Sequence, residues 1–148
     1  MTSSADDLSF IALIDDDAHS AYLLTRMLRA QKSPEVRHLG GATEGEIAIT
    51  VMLADVTANW PELLIVDLKA HSGANLEFLH RNHALLRQKG IPVAVMTPPT
   101  DRAGRESLLR AGASAVFFRQ AELDAFRHEA SAIVGFWARH QRLDAVGM

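Results

Sequence analysis

Five short apolar runs punctuate the chain: Phe10–Ile14, a weaker Val36–Leu39, Leu63–Val66, Ile91–Met96 and Ala115–Phe118. The first, third and fourth are nearly continuous rather than alternating. Strands covered on both faces have that pattern, as in a parallel sheet between helices. The intervening stretches carry apolar residues at spacings of three and four and predict helices. Ala18–Ala30 has Ala21, Leu24, Met27 and Leu28, and Asn75–Leu86 has Leu76, Leu79, His83 and Leu86. Thr43–Ala54, with Ile47, Ile49, Val51 and Leu53, is less regular, and Ala103–Ala111 is short. Glu122–His140 places Leu123, Phe126, Ala130, Ile133, Val134 and Trp137 on one stripe, with Phe136 off it. Gly73, Gly90 and Gly112 mark helix ends or loops, and Pro61 and Pro92 stand where strands begin. A strand followed by a helix, five times over, predicts an α/β fold with a five-stranded parallel sheet and helices on both faces.

Composition narrows this picture. The chain has 148 residues, 48% hydrophobic and 22% charged, which suits one folded domain with one core. The expected boundaries are a polar leader at 1–8, the domain at 9–142 and a tail at 143–148, with no effector domain alongside. The net charge of −3 gives no basic surface for nucleic acid. The absence of cysteine excludes thiol chemistry and a cysteine zinc site. No run is long enough to span a bilayer, and the first residues lack signal-peptide character, so a cytoplasmic protein is expected, with no membrane partner.

In open parallel sheets the functional crevice lies at the carboxyl ends of the strands. Asp15, Asp16 and Asp17 follow the first strand, Asp67 the third, Thr97 the fourth and Arg119 the fifth. Carboxylates crowded together need a proton or a cation among them. Mg²⁺, which favours oxygen ligands, suits this set, and Thr97 and Arg119 facing it suit a phosphoryl group. Asp17 has a plainer role, as N-cap of the helix from Ala18. Asp67, directly after four apolar residues, is costly to bury unless it meets a metal or donors.

These residues together resemble the receiver domain of two-component response regulators. The likeness runs from about Ser9 to about Arg142. It rests on Phe10–Asp17, on Pro61–Leu68, on Ile91–Thr97 and on the Ala111-Gly112-Ala113-Ser114-Ala115 turn, with thirty residues from Asp67 to Thr97 and twenty-two from Thr97 to Arg119. The resemblance implies a (βα)5 flavodoxin-like receiver topology. It implies Asp67 as phosphoacceptor, Asp16 as direct Mg²⁺ ligand with Asp15 nearby through water, and the backbone carbonyl of Lys69 completing the metal shell. Thr97 would then bond a phosphoryl oxygen, and Arg119 would stand where the family has lysine. The implied donor is a histidine kinase or phosphotransfer protein. Output would be changed binding to a downstream protein rather than turnover as an enzyme.

The chain also departs from the family. Arg119 replaces the lysine and Gln120 the proline after it, which removes a potential cis peptide. His71 and Gly73 make the loop after Asp67 look two residues shorter, and Val116 replaces an aromatic switch residue. These departures define an alternative, a pseudo-receiver that binds partners without phosphorylation. A remoter alternative is a small haloacid-dehalogenase-type phosphatase using Asp15 and Asp17. His80 and His83 share a helix face but lack a third ligand, and Gly40-Gly41 lacks the ending of a phosphate loop. Phe136, off the main stripe of the last helix, raises the expectation of a homodimer surface there.

Overall fold

The computed structural model describes residues 9–146, so the expected leader at 1–8 lies outside the described residues. The order is β1 (Phe10–Asp15), α1 (Ala18–Ala30), β2 (Glu35–Gly40), α2 (Ala42–Ala54), β3 (Leu63–Asp67) and α3 (Ala74–Gln88). It continues with β4 (Val93–Thr97), α4 (Arg102–Arg110), β5 (Ala115–Phe118) and α5 (Leu123–Val146). The five strands form one sheet in the order β2-β1-β3-β4-β5, and all four pairings are parallel. The last helix runs past the expected boundary at Arg142.

The continuous runs have the physical cause the pattern implied. Phe10, Ile11, Ala12, Leu13 and Ile14 are all fully buried, because alternate residues enter opposite cores. Phe10, Ala12 and Ile14 join Leu64, Val66, Phe78, Leu79 and Leu108, the layer covered by α2, α3 and α4. Ile11 and Leu13 join Leu24, Leu28, Ile65, Met96, Ala130 and Ile133, the layer covered by α1 and α5. The second run was weaker because β2 is an edge strand and none of its residues is buried. In α2, Ile49 and Leu53 form the buried stripe while Ile47 and Val51 are exposed, which explains its irregular pattern.

Two particulars of the α2–α3–α4 layer have measurable consequences. Glu46 on α2 accepts two hydrogen bonds from Arg81 on α3, both 2.8 Å, and one from Asn82 at 3.1 Å. These bonds lower its pKa from 4.5 to about 2. A carboxyl that holds its proton less tightly when folded stabilises the fold above its unfolded pKa, and the benefit fades as pH falls from there. The melting temperature of wild type is therefore expected to drop more steeply than that of Glu46→Gln between about pH 4.5 and pH 2. Parallel curves would contradict this.

Gly112, at the turn before β5, has φ +123°, and a Cβ there would lie 2.6 Å from the His83 Cβ. Strain and overlap act together, so Gly112→Ala is expected to cost about 2–3 kcal/mol in denaturant unfolding. A cost near zero would show that α3 yields freely at this turn.

Candidate functional site

The residues picked out by the strand-end rule gather at the carboxyl edge of β1, β3 and β5. Asp15 and Asp67 are register partners on neighbouring parallel strands. Asp15 is 1% exposed and Asp67 3% exposed. Two carboxylates this deeply buried require counter-charge. Two basic side chains supply it.

Arg119 follows β5 directly, and its backbone N–H donates to the carbonyl of Thr97 at 2.8 Å, which seats it beside β4. Its Nε donates to Asp67 Oδ1 at 2.5 Å. One terminal nitrogen donates to the carbonyls of Leu68 (2.9 Å) and Met96 (3.2 Å). The planar guanidinium thus binds the carboxylate and ties together the strand ends after β3 and β4.

Lys69 is the second cation. Its Nζ lies 2.7 Å from Asp15 Oδ1, 3.1 Å from Asp67 Oδ2 and 2.9 Å from the Asp67 carbonyl oxygen. The resemblance had assigned Lys69 only a backbone carbonyl, so its side chain is the functional group that the spacing argument missed. A loop position does not reveal which way its side chain turns.

Asp16 is bonded to the loop after β3. It is exposed, and its carboxylate accepts the backbone N–H of Lys69 at 3.0 and 3.1 Å and of Ala70 at 2.8 Å. A carboxylate bonded to two adjacent amides fixes the loop after β3, and Lys69 with it. Asp17 is the N-cap of α1, accepting from the amides of His19 (3.0 Å) and Ser20 (3.1 Å), and those bonds lower its pKa. Its own N–H donates to Asp15 Oδ1 at 2.9 Å.

Two further polar residues hold the frame, and the sequence carried no signal for either. Asn75, in the first turn of α3, is buried; its Oδ1 accepts from the Leu68 N–H and its Nδ2 donates to the Met96 carbonyl, both at 2.9 Å. The His38 ring meets the Asp15 carbonyl oxygen at 2.8 Å, bracing β1 from β2.

Arg119 lines two recesses. One, of about 160 Å³, is lined by Asp67, Met96, Arg119, Gln120 and Phe126 among others. The other, of about 370 Å³, contains Lys69, Asn75, Thr97, Pro98 and Arg119. Thr97 therefore shares a recess with both cations, while Asp67 and Arg119 line the other.

The electrostatics follow from burial. Desolvation raises the pKa of Asp67, against the opposing pull of Lys69, the Arg119 hydrogen bond and the Arg119 charge, with Asp15 adding to the rise. Both oxygens of Asp67 and one of Asp15 face a cation. The remaining Asp15 oxygen, Oδ2, is buried without a hydrogen-bond partner.

Do these residues fit Mg²⁺? The orphaned Asp15 oxygen would accept a cation. The gap between Asp15 and Asp67, however, holds the Lys69 ammonium, and Asp16 is committed to backbone amides. Among the described residues no group of three or more His, Cys, Asp or Glu is placed to hold a metal ion. In this arrangement the Lys69 ammonium stands between Asp15 and Asp67, and the Asp16 carboxylate is engaged by the amides of Lys69 and Ala70.

Elsewhere, Val116 is half-buried and packs with the α2–α3–α4 layer. Phe136 is half-buried, its ring 6.2 Å from Phe117 and 5.0 Å from His140. Leu123, counted in the buried stripe, is 58% exposed. His80 is exposed, and the His83 ring meets the Leu79 carbonyl at 3.0 Å. Among the described residues there is no cis peptide bond, and no helix is long and apolar enough to cross a membrane.

No protein-family model and no curated protein matches the chain. Solved structures do. The phosphorylated cyanobacterial phytochrome response regulator RcpA superposes with a TM-score of 0.71 at 20% identity, covering 87% of this chain and 93% of that one. The Mn²⁺-bound form of the response regulator Rcp1 gives 0.66 at 19% identity, covering 86% and 93%. A response-regulator receiver domain from Rhodospirillum rubrum gives 0.67 at 18% identity, covering 88% and 94%. The chain has the fold of response-regulator receiver domains.

Proposed function

We propose that this chain is a cytoplasmic signalling receiver in which Asp67 accepts a phosphoryl group and output passes through changed binding to a downstream protein. The observation that carries this reading is Asp67 itself: a buried carboxylate at the carboxyl end of β3, in a receiver fold, flanked by one cation on each oxygen. A carboxylate oxygen attacks the phosphorus of a phosphohistidine on a histidine kinase or phosphotransfer protein. The new O–P bond forms as the P–N bond breaks. The bonding pair leaves with the imidazole, which takes its proton from solvent. Arg119 and Lys69 offset the negative charge carried by the phosphoryl oxygens, the main requirement of such a transfer. Thr97 shares a recess with both cations and would donate its hydroxyl to a phosphoryl oxygen. The product is one aspartyl phosphate per chain, not a turnover cycle.

The added charge would draw Arg119 and Lys69 toward the phosphoryl group. Because Arg119 also bonds the carbonyls of Leu68 and Met96, its movement would repack the ends of β3 and β4. With Val116 in place of an aromatic switch, this route would run through the guanidinium rather than through ring rotation in β5.

One observation favours a second reading. Both oxygens of Asp67 are already engaged, as a module that binds partners without phosphorylation would also hold them. Borohydride trapping separates the two readings, because it reduces an acyl phosphate to an alcohol and marks the modified residue. After incubation with a small acyl phosphate, the reduced residue is expected at position 67. Reduction at no residue would favour the phosphorylation-independent module, and reduction at another residue would overturn Asp67 as the acceptor.

A further inference from the structure

Asp15 and Asp67 form a pair of buried carboxylates on adjacent strands, the setting in which a divalent cation would be expected. Lys69 occupies it in detail. An ammonium has three N–H donors, and three acceptors surround this one: Asp15 Oδ1, Asp67 Oδ2 and the Asp67 carbonyl, at 2.7, 3.1 and 2.9 Å. The backbone of the same residue is held from the other side, since Asp16 accepts its N–H with both carboxylate oxygens. A third carboxylate, that of Asp16, thus fixes the backbone from which the Lys69 side chain extends. Within the buried pair the charges offset: Lys69 and Arg119 face Asp15 and Asp67, while the third carboxylate, Asp16, is exposed at the rim, so a dication between Asp15 and Asp67 would have to share them with two cations already seated there.

We infer that the Lys69 ammonium is the resident cation of this site, standing where a divalent ion would bridge Asp15 and Asp67, with Asp16 as its positioning residue. The buried carboxylate pair is balanced without metal and becomes a divalent-ion site only when Lys69 is withdrawn. The Lys69 side chain is 26% exposed, which leaves a path to solvent, so the exclusion is a competition between one tethered cation and one free ion. This inference concerns the resting site and holds whether or not Asp67 is ever phosphorylated.

Mn²⁺ is a suitable probe, because its free ion is counted directly by electron paramagnetic resonance. It would be titrated into the full chain, wild type and variants, without any phosphodonor. Wild type is expected to show no saturable binding that Asp67→Asn removes. Lys69→Met deletes the tethered charge and keeps the chain's length, and is expected to bind Mn²⁺ at least about tenfold more tightly than wild type. That gain should vanish in the double variant Lys69→Met/Asp15→Asn and be absent from Lys69→Arg, which keeps the charge. Equal affinity of wild type and Lys69→Met would overturn the inference, as would a saturable wild-type site abolished by Asp67→Asn. Should Lys69→Met not fold, the wild-type titration still decides: an Asp67-dependent Mn²⁺ site refutes the inference, and its absence supports it.

Discussion

Arg119→Ala is expected to destabilise the fold by about 3–4 kcal/mol, measured by denaturant unfolding at neutral pH. The deletion strips Asp67 of the partner on Oδ1 and leaves two buried carboxylates to share Lys69 alone. It also removes the donor from the carbonyls of Leu68 and Met96. Breaking a buried pair from one side costs more than the pair is worth, because the abandoned charge stays behind. The guanidinium is only partly covered, so the figure is set at the low end of what such losses reach. Arg119→Lys separates the two contributions. It keeps the charge near Asp67 but cannot reach both carbonyls, and a loss of about 1–2 kcal/mol is expected. Equal costs for the two variants would mean that the carbonyl bonds, not the charge, carry the effect. A negligible cost for both would show that Asp67 tolerates burial without Arg119.

Asp67→Asn has the largest expected effect on function, a complete loss of phosphoryl acceptance. The amide nitrogen's lone pair is delocalised into the carbonyl and does not attack phosphorus, and the amide oxygen would give no stable product. The neighbouring carboxylates do not substitute. Asp15 is buried to a similar degree but has one oxygen against Lys69 and the Asp17 amide, and its other oxygen opens to no partner. Asp16 spends its carboxylate on backbone amides.

The fold was legible because its two-sided burial leaves an unambiguous trace. β1, β3 and β4 are covered on both faces and appear as unbroken apolar runs. β2, an edge strand, was correspondingly faint, and α2 was blurred because Ile47 and Val51 are apolar yet exposed. The site was legible as a set of strand ends: Asp15, Asp67, Thr97 and Arg119 are brought to one edge of the sheet because each ends or directly follows a strand. What lay beyond the sequence is side-chain direction in the loop after β3. Nothing in the order Asp67-Leu68-Lys69-Ala70 distinguishes a lysine that reaches into solvent from one that turns back onto two carboxylates. The amides that engage the Asp16 carboxylate likewise depend on how that loop folds, which residue order does not reveal. Asn75 looked like any polar residue in the first turn of a helix. Phe136, off the helical stripe, meets Phe117 of the same chain, a contact the stripe alone did not place.

The central claim is that Asp67 is the group through which this receiver fold takes up phosphate. Intact mass after incubation with a small acyl phosphate tests it most directly, on wild type and Asp67→Asn side by side. The account predicts that wild type gains the mass of one phosphoryl group and that Asp67→Asn gains none. An unchanged wild type, or a variant modified to the same extent, would contradict it.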